Sequence, residues 1–191
     1  CGAGLFAAVE NATIKNLTMI DAVVTFECVE IGIVVGLAQG NCNFESIFIY
    51  DSKIANYQRP TGGIVGEISP AFDEEGNPYG NFTFKKIMLD TSVVVGTLWG
   101  DFDAPVGGII GARWDDYDVT TVRMETCDIA CELDVYNDVT STYQWYAYRR
   151  AGMLIGNTDR ATTDSNGRTA ASTVLTSGVN YLTCSIGYQY S

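Results

Sequence analysis

Residues 62–66 read Gly-Gly-Ile-Val-Gly, and variants of this short stretch recur along the chain. Two or three apolar residues stand between small residues in five segments: residues 4–8 (GLFAA), 32–36 (GIVVG), 63–66 (GIVG), 108–111 (GIIG) and 152–156 (GMLIG), with Ala8 in the place of the last glycine in the first. The segments end at residues 8, 36, 66, 111 and 156, so the intervals are 28, 30, 45 and 45 residues. Such spacing is typical of repeat proteins, in which each unit buries its apolar face against its neighbours.

A second motif of nine residues lies between these segments, at residues 16–24, 46–54, 86–94 and 121–129. The second position holds Leu17, Ile47, Ile87 and Val122, the fourth Met19, Ile49, Leu89 and Met124, the seventh Ala22, Ser52, Ser92 and Cys127, and the ninth Val24, Ile54, Val94 and Ile129. Apolar residues two apart predict a half-buried strand. The small residue at the seventh position predicts a corner, and the ninth position begins the next strand.

These patterns predict an all-β protein, a parallel β-helix (solenoid) of about five irregular coils with loop insertions. The expected coils are about residues 4–31, 32–61, 62–106 and 107–151, with a last coil from 152, inside a repeat domain of residues 1–156. Residues 157–191 are predicted to form a C-terminal loop or arm with final strands. The alternative is an antiparallel β-sandwich, because alternating strands and turns give a similar pattern.

Three of these stretches together resemble the GLUG-type repeat of secreted and surface β-solenoid proteins. They are the Gly-Leu-Phe opening at residues 4–6, Asn-Ala-Thr-Ile-Lys-Asn-Leu-Thr at 11–18 and Gly-Gly-Ile-Val-Gly at 62–66. The resemblance covers residue 4 to about 156 and implies an extracellular, repetitive protein with an adhesin-like or scaffolding role. The family's pattern does not include the two 45-residue repeats or the tail from Asn157. It implies no catalytic residues.

Composition excludes several classes of function. The net charge is −12, with 11 Lys and Arg against 23 Asp and Glu, so nucleic acid is not an expected partner. The chain has no histidine, which removes Ser-His-Asp and Cys-His nucleophiles and histidine metal sites. No apolar run approaches the roughly 20 residues of a membrane-spanning helix, so no transmembrane segment is predicted.

Cysteines and glycosylation sequons indicate an oxidising, extracellular or cell-surface location. We predict that the cysteines form disulfides, without a deducible pairing: Cys1, Cys28, Cys42, Cys127, Cys131 and Cys184. Cys1 and Cys184 are also candidates for bonds between chains. N-linked glycans are predicted at Asn11, Asn16 and Asn81. Because the chain begins at Cys1 without a signal peptide, we expect a processed product or a segment of a longer protein.

Insertions between the strands supply the candidate binding features. Residues 69–80, 100–105 and 114–118 are acidic and would suit calcium, although solvated loop carboxylates are the favoured interpretation. Residues 143–150 form an aromatic and basic strip. Its candidate interface residues are Tyr143, Trp145, Tyr146, Arg149 and Arg150. These residue types are enriched at interface hot spots, and a buried strand is the alternative interpretation.

The sequence therefore predicts a structural protein and not an enzyme, with no catalytic, cofactor-binding or metal residues. We expect a subunit of an extracellular filament or surface appendage. Its partners would be copies of itself, joined end to end through solenoid edges, strand exchange or disulfides. The alternative is an adhesin-type module that recognises a glycan or a surface protein.

Overall fold

The computed structural model of the protein describes residues 2–27, 29–57, 59–97, 105–113, 119–137, 151–157 and 173–190. Every regular element in these ranges is a β-strand, which confirms the all-β prediction. Glycine, β-branched and aromatic residues dominate these stretches, and apolar side chains recur every second residue, as strands require.

The strands fall into five successive groups, which we call passes. The first pass contains β1 (Gly2–Ala3), β2 (Phe6–Glu10), β3 (Thr13–Ile20) and β4 (Val23–Phe26). The second contains β5 (Glu30–Gly32), β6 (Val35–Gln39), β7 (Asn41–Tyr50) and β8 (Lys53–Asn56). The third contains β9 (Thr61–Gly62), β10 (Val65–Ser69), β11 (Ala71–Phe72), β12 (Pro78–Leu89) and β13 (Val94–Thr97). The fourth contains β14 (Val106–Gly107), β15 (Ile110–Arg113), β16 (Thr120–Glu125), β17 (Asp128–Ile129) and β18 (Glu132–Asn137). The fifth contains β19 (Ala151–Gly152), β20 (Ile155–Asn157), β21 (Thr173–Ser177), β22 (Tyr181–Leu182) and β23 (Ser185–Tyr190).

Each pass contributes to four parallel sheets in the same order. Sheet A is β1-β5-β9-β14-β19, and sheet B is β2-β6-β10-β15-β20. Sheet C runs from β3 through β7 and β12 to β16 with β17, and then to β21 with β22. Sheet D is β4-β8-β13-β18-β23. The one antiparallel pair in the described ranges joins β11 to β12, so the antiparallel sandwich alternative is wrong.

The pairing register agrees with the spacing of the glycine-flanked segments. In sheet A, Gly2 pairs with Glu30, Ile31 with Thr61, Thr61 with Val106 and Val106 with Ala151. These steps are the intervals of 28, 30, 45 and 45 residues seen in the sequence. One detail differs in sheet B: Phe6 pairs with Val35, so Ala7 and not Ala8 stands beside Gly36.

The register also corrects the fourth copy of the nine-residue motif. Val122 pairs with Phe82 and Met124 with Phe84, whereas the sequence alignment had placed them beside Ile87 and Leu89. The error arises because β12 has 12 residues and carries apolar side chains every second residue on both sides of a bend. A period of two fits either half of that strand equally well.

The apolar core lies between the sheets, where like residues stack from pass to pass. Phe44 and Phe84 pair in register and their rings stack, with centroids 4.9 Å apart and planes 5° apart. Ile47 and Ile87 form the next ladder and are both buried. Each pass thus covers the apolar side chains of the preceding one.

Sheet C bends at residues whose backbone is left-handed. Asn16, Ser46, Lys86 and Thr126 occupy the same place in the first four passes and have φ values of 56°, 56°, 53° and 55°. Cys127 therefore follows a bend within sheet C and is not the corner residue that the sequence alignment had made it.

Glycine is required where sheet A meets sheet B. A Cβ on Gly62 would lie 1.9 Å from the carbonyl oxygen of Val65 and 2.6 Å from the nitrogen of Gly111 in the next pass. Backbone atoms occupy the space that any side chain would need, which explains the recurring glycine-flanked segments.

Candidate functional site

The first pass forms one edge of all four sheets. In the described ranges β1, β2, β3 and β4 each pair with a strand of the second pass and with nothing on their other side. In a parallel strand, alternate backbone groups point to opposite sides, so half of the groups in these strands face away from the second pass. Such an edge is a template for a further strand.

The inward side chains of this edge are apolar, like those of the core, and not polar, as they would be in a capping layer. Leu17, Met19 and Val24 pack against the core but are only partly buried. Their register partners in the second pass, Ile47, Ile49 and Ile54, are fully buried. The sequence therefore continues the buried ladders into a pass that the described strands cover on one side only.

Further apolar side chains lie exposed on the same pass. Val23 is 75% exposed, Ile20 60% and Phe26 53%, and Leu5 and Phe6 are also exposed. An exposed apolar patch of this size more often indicates an interaction surface than an ordinary solvated face. We call β1 to β4 with these side chains the first-pass edge.

The opposite edge belongs to the fifth pass, and its described part is also apolar. Leu175, Val179, Tyr181 and Leu182 are exposed. The strands β21, β22 and β23 pair in parallel with β16, β17 and β18, so residues 173–190 complete the fifth pass. The two edges carry strands of the same direction.

The outer face of sheet C carries a ladder of alternating charge. Lys15, Glu45, Lys85 and Glu125 stack in register on the first four passes. Lys85 Nζ lies 2.9 Å from Glu125 Oε1, and the hydrogen bond and charge of Glu125, with a smaller contribution from Glu45, raise the pKa of Lys85. Sequence reasoning missed this ladder because its members are at least 30 residues apart and meet only in the correct register.

A half-buried apolar patch lies on the same face beyond the bend. Phe48 and Tyr50 project outward from β7, beside Thr18 and Ile20 of β3 and Met88 of β12. Aromatic rings on a flat sheet offer faces for stacking. The alternation of β7 predicted two faces for this strand but did not show that its outward residues form one surface with those of its neighbours.

All three sequon asparagines lie on the exposed surface. The side-chain amide of Asn11 donates to the Tyr79 hydroxyl at 2.8 Å, and that of Asn81 donates to Asn41 Oδ1 at 3.0 Å. Asn16 lies at the bend of sheet C with a left-handed backbone. Their exposure is compatible with glycosylation, which stays a prediction.

The four described cysteines are not bonded to one another in this structure. Burial raises the pKa of Cys42 and of Cys127, and their sulfur atoms contact the carbonyl oxygens of Gln39 and Phe84. Cys131 and Cys184 face each other, with their Sγ atoms 3.9 Å apart. Cys1 and Cys28 lie outside the described residues, so the disulfide prediction for the six cysteines stays a prediction.

Other predicted features also fall outside the described residues. They include the whole aromatic and basic strip, Tyr143, Trp145, Tyr146, Arg149 and Arg150, and the aspartates of residues 101–103 and 115–118. The acidic loop of the third pass is described, and it forms a hairpin whose turn is built on Asp73. Asp73 Oδ1 accepts hydrogen bonds from the backbone of Asn77 at 2.7 Å and of Glu75 at 3.0 Å, which lower its pKa.

The described ranges contain neither a cluster of metal ligands nor a membrane-spanning helix. No group of three or more Cys, Asp or Glu side chains gathers there as metal ligands would. None of the described elements is a helix of the length and hydrophobicity needed to cross a membrane.

The chain matched no protein-family model, no curated protein and no solved structure in comparisons with all three. The first-pass edge, the fifth-pass edge and the outer face of sheet C are therefore interpreted from their own chemistry.

Proposed function

We propose that the four parallel sheets close into a β-solenoid of five coils, and that this protein is a structural subunit of an extracellular filament or surface appendage. The observation that carries the proposal is the first-pass edge, where core side chains lie together with backbone groups that no described strand pairs. The closed solenoid is supported by the fixed order of the sheets, because each pass visits A, B, C and D before the next begins.

Strand direction favours head-to-tail assembly. A second copy placed with its first pass on the fifth pass of another would continue all four sheets in parallel. If two first passes or two fifth passes met instead, their strands would be antiparallel, whereas the strands of both edges pair in parallel with their neighbours in the chain. A head-to-tail contact uses two different surfaces, so it does not close on itself and generates a filament.

The apolar side chains supply the driving force for this contact. Full burial of a Leu, Val or Met side chain contributes about 1.5–3 kcal/mol. The partly buried Leu17, Met19 and Val24 would recover part of that on being covered, and so would the exposed Phe26, whose register partner Asn56 in the second pass is fully buried. The net charge of −12 opposes assembly, so salt is expected to promote it.

The extracellular location is part of the proposal. It rests on the exposed sequon asparagines, on the even number of cysteines and on the resemblance to GLUG-type repeats. No enzyme activity is proposed, because the chain has no histidine for a Ser-His-Asp or Cys-His nucleophile.

Negative-stain electron microscopy of the purified protein, with and without reducing agent, tests the proposal. We expect filaments whose length increases with salt, and their loss on reduction would show that they depend on disulfide bonds. Phe26→Lys, which puts a charge at a position of the first-pass edge whose register partner is fully buried in the second pass, should abolish the filaments. Its matched control is Phe72→Lys, which replaces another exposed apolar residue by lysine, in the third pass and away from both edges.

Both substitutions change the net charge from −12 to −11, so repulsion between molecules falls equally in the two variants. Filaments in the control but not in Phe26→Lys would support assembly through the first-pass edge. Discrete particles of the unmodified protein in every condition would refute the filament hypothesis.

A second candidate function is an adhesin-type binding module for a glycan. The outward Phe48 and Tyr50 of sheet C favour it, because aromatic rings stack on the apolar faces of sugars. A glycan array would test it, with Tyr50→Ala expected to lose the signal. Equal signals from this variant and the unmodified protein would remove the patch from consideration.

A further inference from the structure

Two cysteines occupy the same place in successive passes. Cys131 lies between β17 and β18, and Cys184 lies between β22 and β23. The register on both sides brackets the pair, because Ile129 pairs with Leu182 and Glu132 with Ser185. The backbone N–H of Thr183 donates to the carbonyl oxygen of Ile129 at 2.9 Å, which holds the two chain segments together beside the thiols.

The geometry points to a disulfide bond between Cys131 and Cys184, and we propose that this bond ties the fifth pass to the fourth. Neighbouring strands lie about 4.8 Å apart, which falls within the Cα separation of roughly 4.4–6.8 Å found in disulfides. The sulfur atoms are already 3.9 Å apart. Rotation of the side chains would bring them to the bonding distance of about 2.05 Å.

The other described thiols are not arranged in this way. Cys42 lies in register with Phe82, and Cys127 lies next to Ile87. Both are buried, and the pairing brings no cysteine beside either of them. The register thus selects one pairing among those that the sequence alone left open.

The two thiols also differ in reactivity. Cys131 is fully buried, and its hydrogen bond with Cys184 raises the pKa of Cys131 and lowers that of Cys184. Cys184 is only partly buried, so it is the thiol that a solution oxidant can reach. The thiolate is the attacking species, which makes Cys184 the nucleophile of the pair.

The oxidation balances with a small-molecule disulfide, such as oxidised glutathione, as the electron acceptor. The Cys184 thiolate attacks one sulfur of that disulfide, and one small thiolate leaves. Cys131 then loses its proton, and its sulfur displaces the second small thiolate from Cys184. The two cysteine thiols lose two protons and two electrons in total, and the oxidant is reduced to two thiols.

The bond would stabilise the fifth pass, whose described strands pair on one side only. It closes a loop with a sequence separation of 53 residues, including residues 138–150 and 158–172. Cross-links over loops of this size reduce the freedom of the unfolded chain. The proposal does not depend on filament formation, and it gives Cys184 a partner within its own chain.

Peptide mapping tests the pairing directly. The protein is equilibrated in a mixture of reduced and oxidised glutathione, free thiols are alkylated, and the chain is cut before aspartate residues. Cys131 is then in the peptide of residues 128–133, Cys127 in residues 118–127 and Cys184 in residues 164–191. We expect mass spectrometry to find residues 128–133 linked to residues 164–191 within a monomer.

A stability measurement provides the second readout. Reduction should raise the unfolding equilibrium constant of the unmodified protein by a factor of about 100 to 1000. The same response is expected in Cys42→Ser, the matched control, but not in Cys184→Ser. Alkylation of both Cys131 and Cys184 after oxidation, or a bond from Cys184 to any other cysteine, would overturn the proposal. The mapping uses the unmodified chain, so it decides the question even if a variant does not fold.

Discussion

Replacement of Gly62 by alanine should destabilise the protein by about 4 kcal/mol or more. The new Cβ would lie 1.9 Å from the Val65 carbonyl oxygen and 2.6 Å from the Gly111 nitrogen. Both contacts are with backbone atoms, so no side-chain rotation relieves them. The first lies within the same glycine-flanked segment and the second in the next pass, so the corner between sheets A and B must open.

The magnitude follows from two costs. Overpacking of a close-packed interior typically costs 1–3 kcal/mol, and these contacts place Gly62→Ala at or above the upper end of that range. Movement of Val65 also strains the hydrogen bond from its N–H to the Ile109 carbonyl oxygen, now 2.9 Å long, which adds about 1 kcal/mol. The sum is a large part of the roughly 5–15 kcal/mol that stabilises a typical domain.

Urea unfolding followed by far-UV circular dichroism gives the free energy of unfolding from the midpoint and slope. The control is Gly76→Ala, in the hairpin turn of the third pass. A Cβ there meets nothing within 4 Å, and the only penalty is the backbone φ of +82°, about 1–2 kcal/mol. A midpoint for Gly62→Ala no lower than that of Gly76→Ala would refute the account of why these segments carry glycine.

Three further predictions concern the surface. Lys85→Glu should lower the urea midpoint more than Lys85→Gln, because it places three carboxylates in a row with Glu45 and Glu125. Added salt should reduce the difference between the two midpoints, and a difference that salt leaves unchanged would contradict this. Hydrogen bonds lower the folded-state pKa of Asp73, so its carboxylate stabilises the hairpin at pH values above its unfolded pKa. That stabilisation is lost as the pH falls through the folded pKa. An NMR titration should show a midpoint below the ordinary range of aspartate, and a midpoint within that range would count against the turn. In the glycosylated protein, peptide mass mapping should find Asn16 more fully occupied than the other two sequons, whose amides donate to other side chains; an empty Asn16 would argue against accessibility as the controlling factor.

The strands and their sheet partners were largely predictable from the sequence. The glycine-flanked segments recur at the intervals that separate the passes in sheet A, and alternate apolar residues mark the inward faces of sheet C. Both signals are local and strong. A position without room for a Cβ admits only glycine, and a half-buried strand requires apolar residues at alternate positions. The parallel pairing follows once equivalent segments stack.

The surfaces were less predictable because they depend on which residues become neighbours. The ladder from Lys15 to Glu125 exists only in the observed register, and the patch of Phe48 and Tyr50 needs three strands side by side. The facing pair of Cys131 and Cys184 is the same kind of feature. Cysteine spacing left the pairing open, whereas stacking of the fourth and fifth passes brings these two sulfur atoms together.

The bend of sheet C shows why local patterns fall short. Asn16 tolerates a left-handed backbone, but Lys86 and Thr126 are not residues that signal one. A β-branched residue at positive φ costs free energy, so its neighbours must hold Thr126 in place. Its N–H donates to the Ser177 carbonyl oxygen at 3.3 Å, and the strands on both sides of it stay in register with β12. The preceding pass therefore sets the bend, because a strand laid on a bent strand keeps its hydrogen bonds only if it bends at the same place.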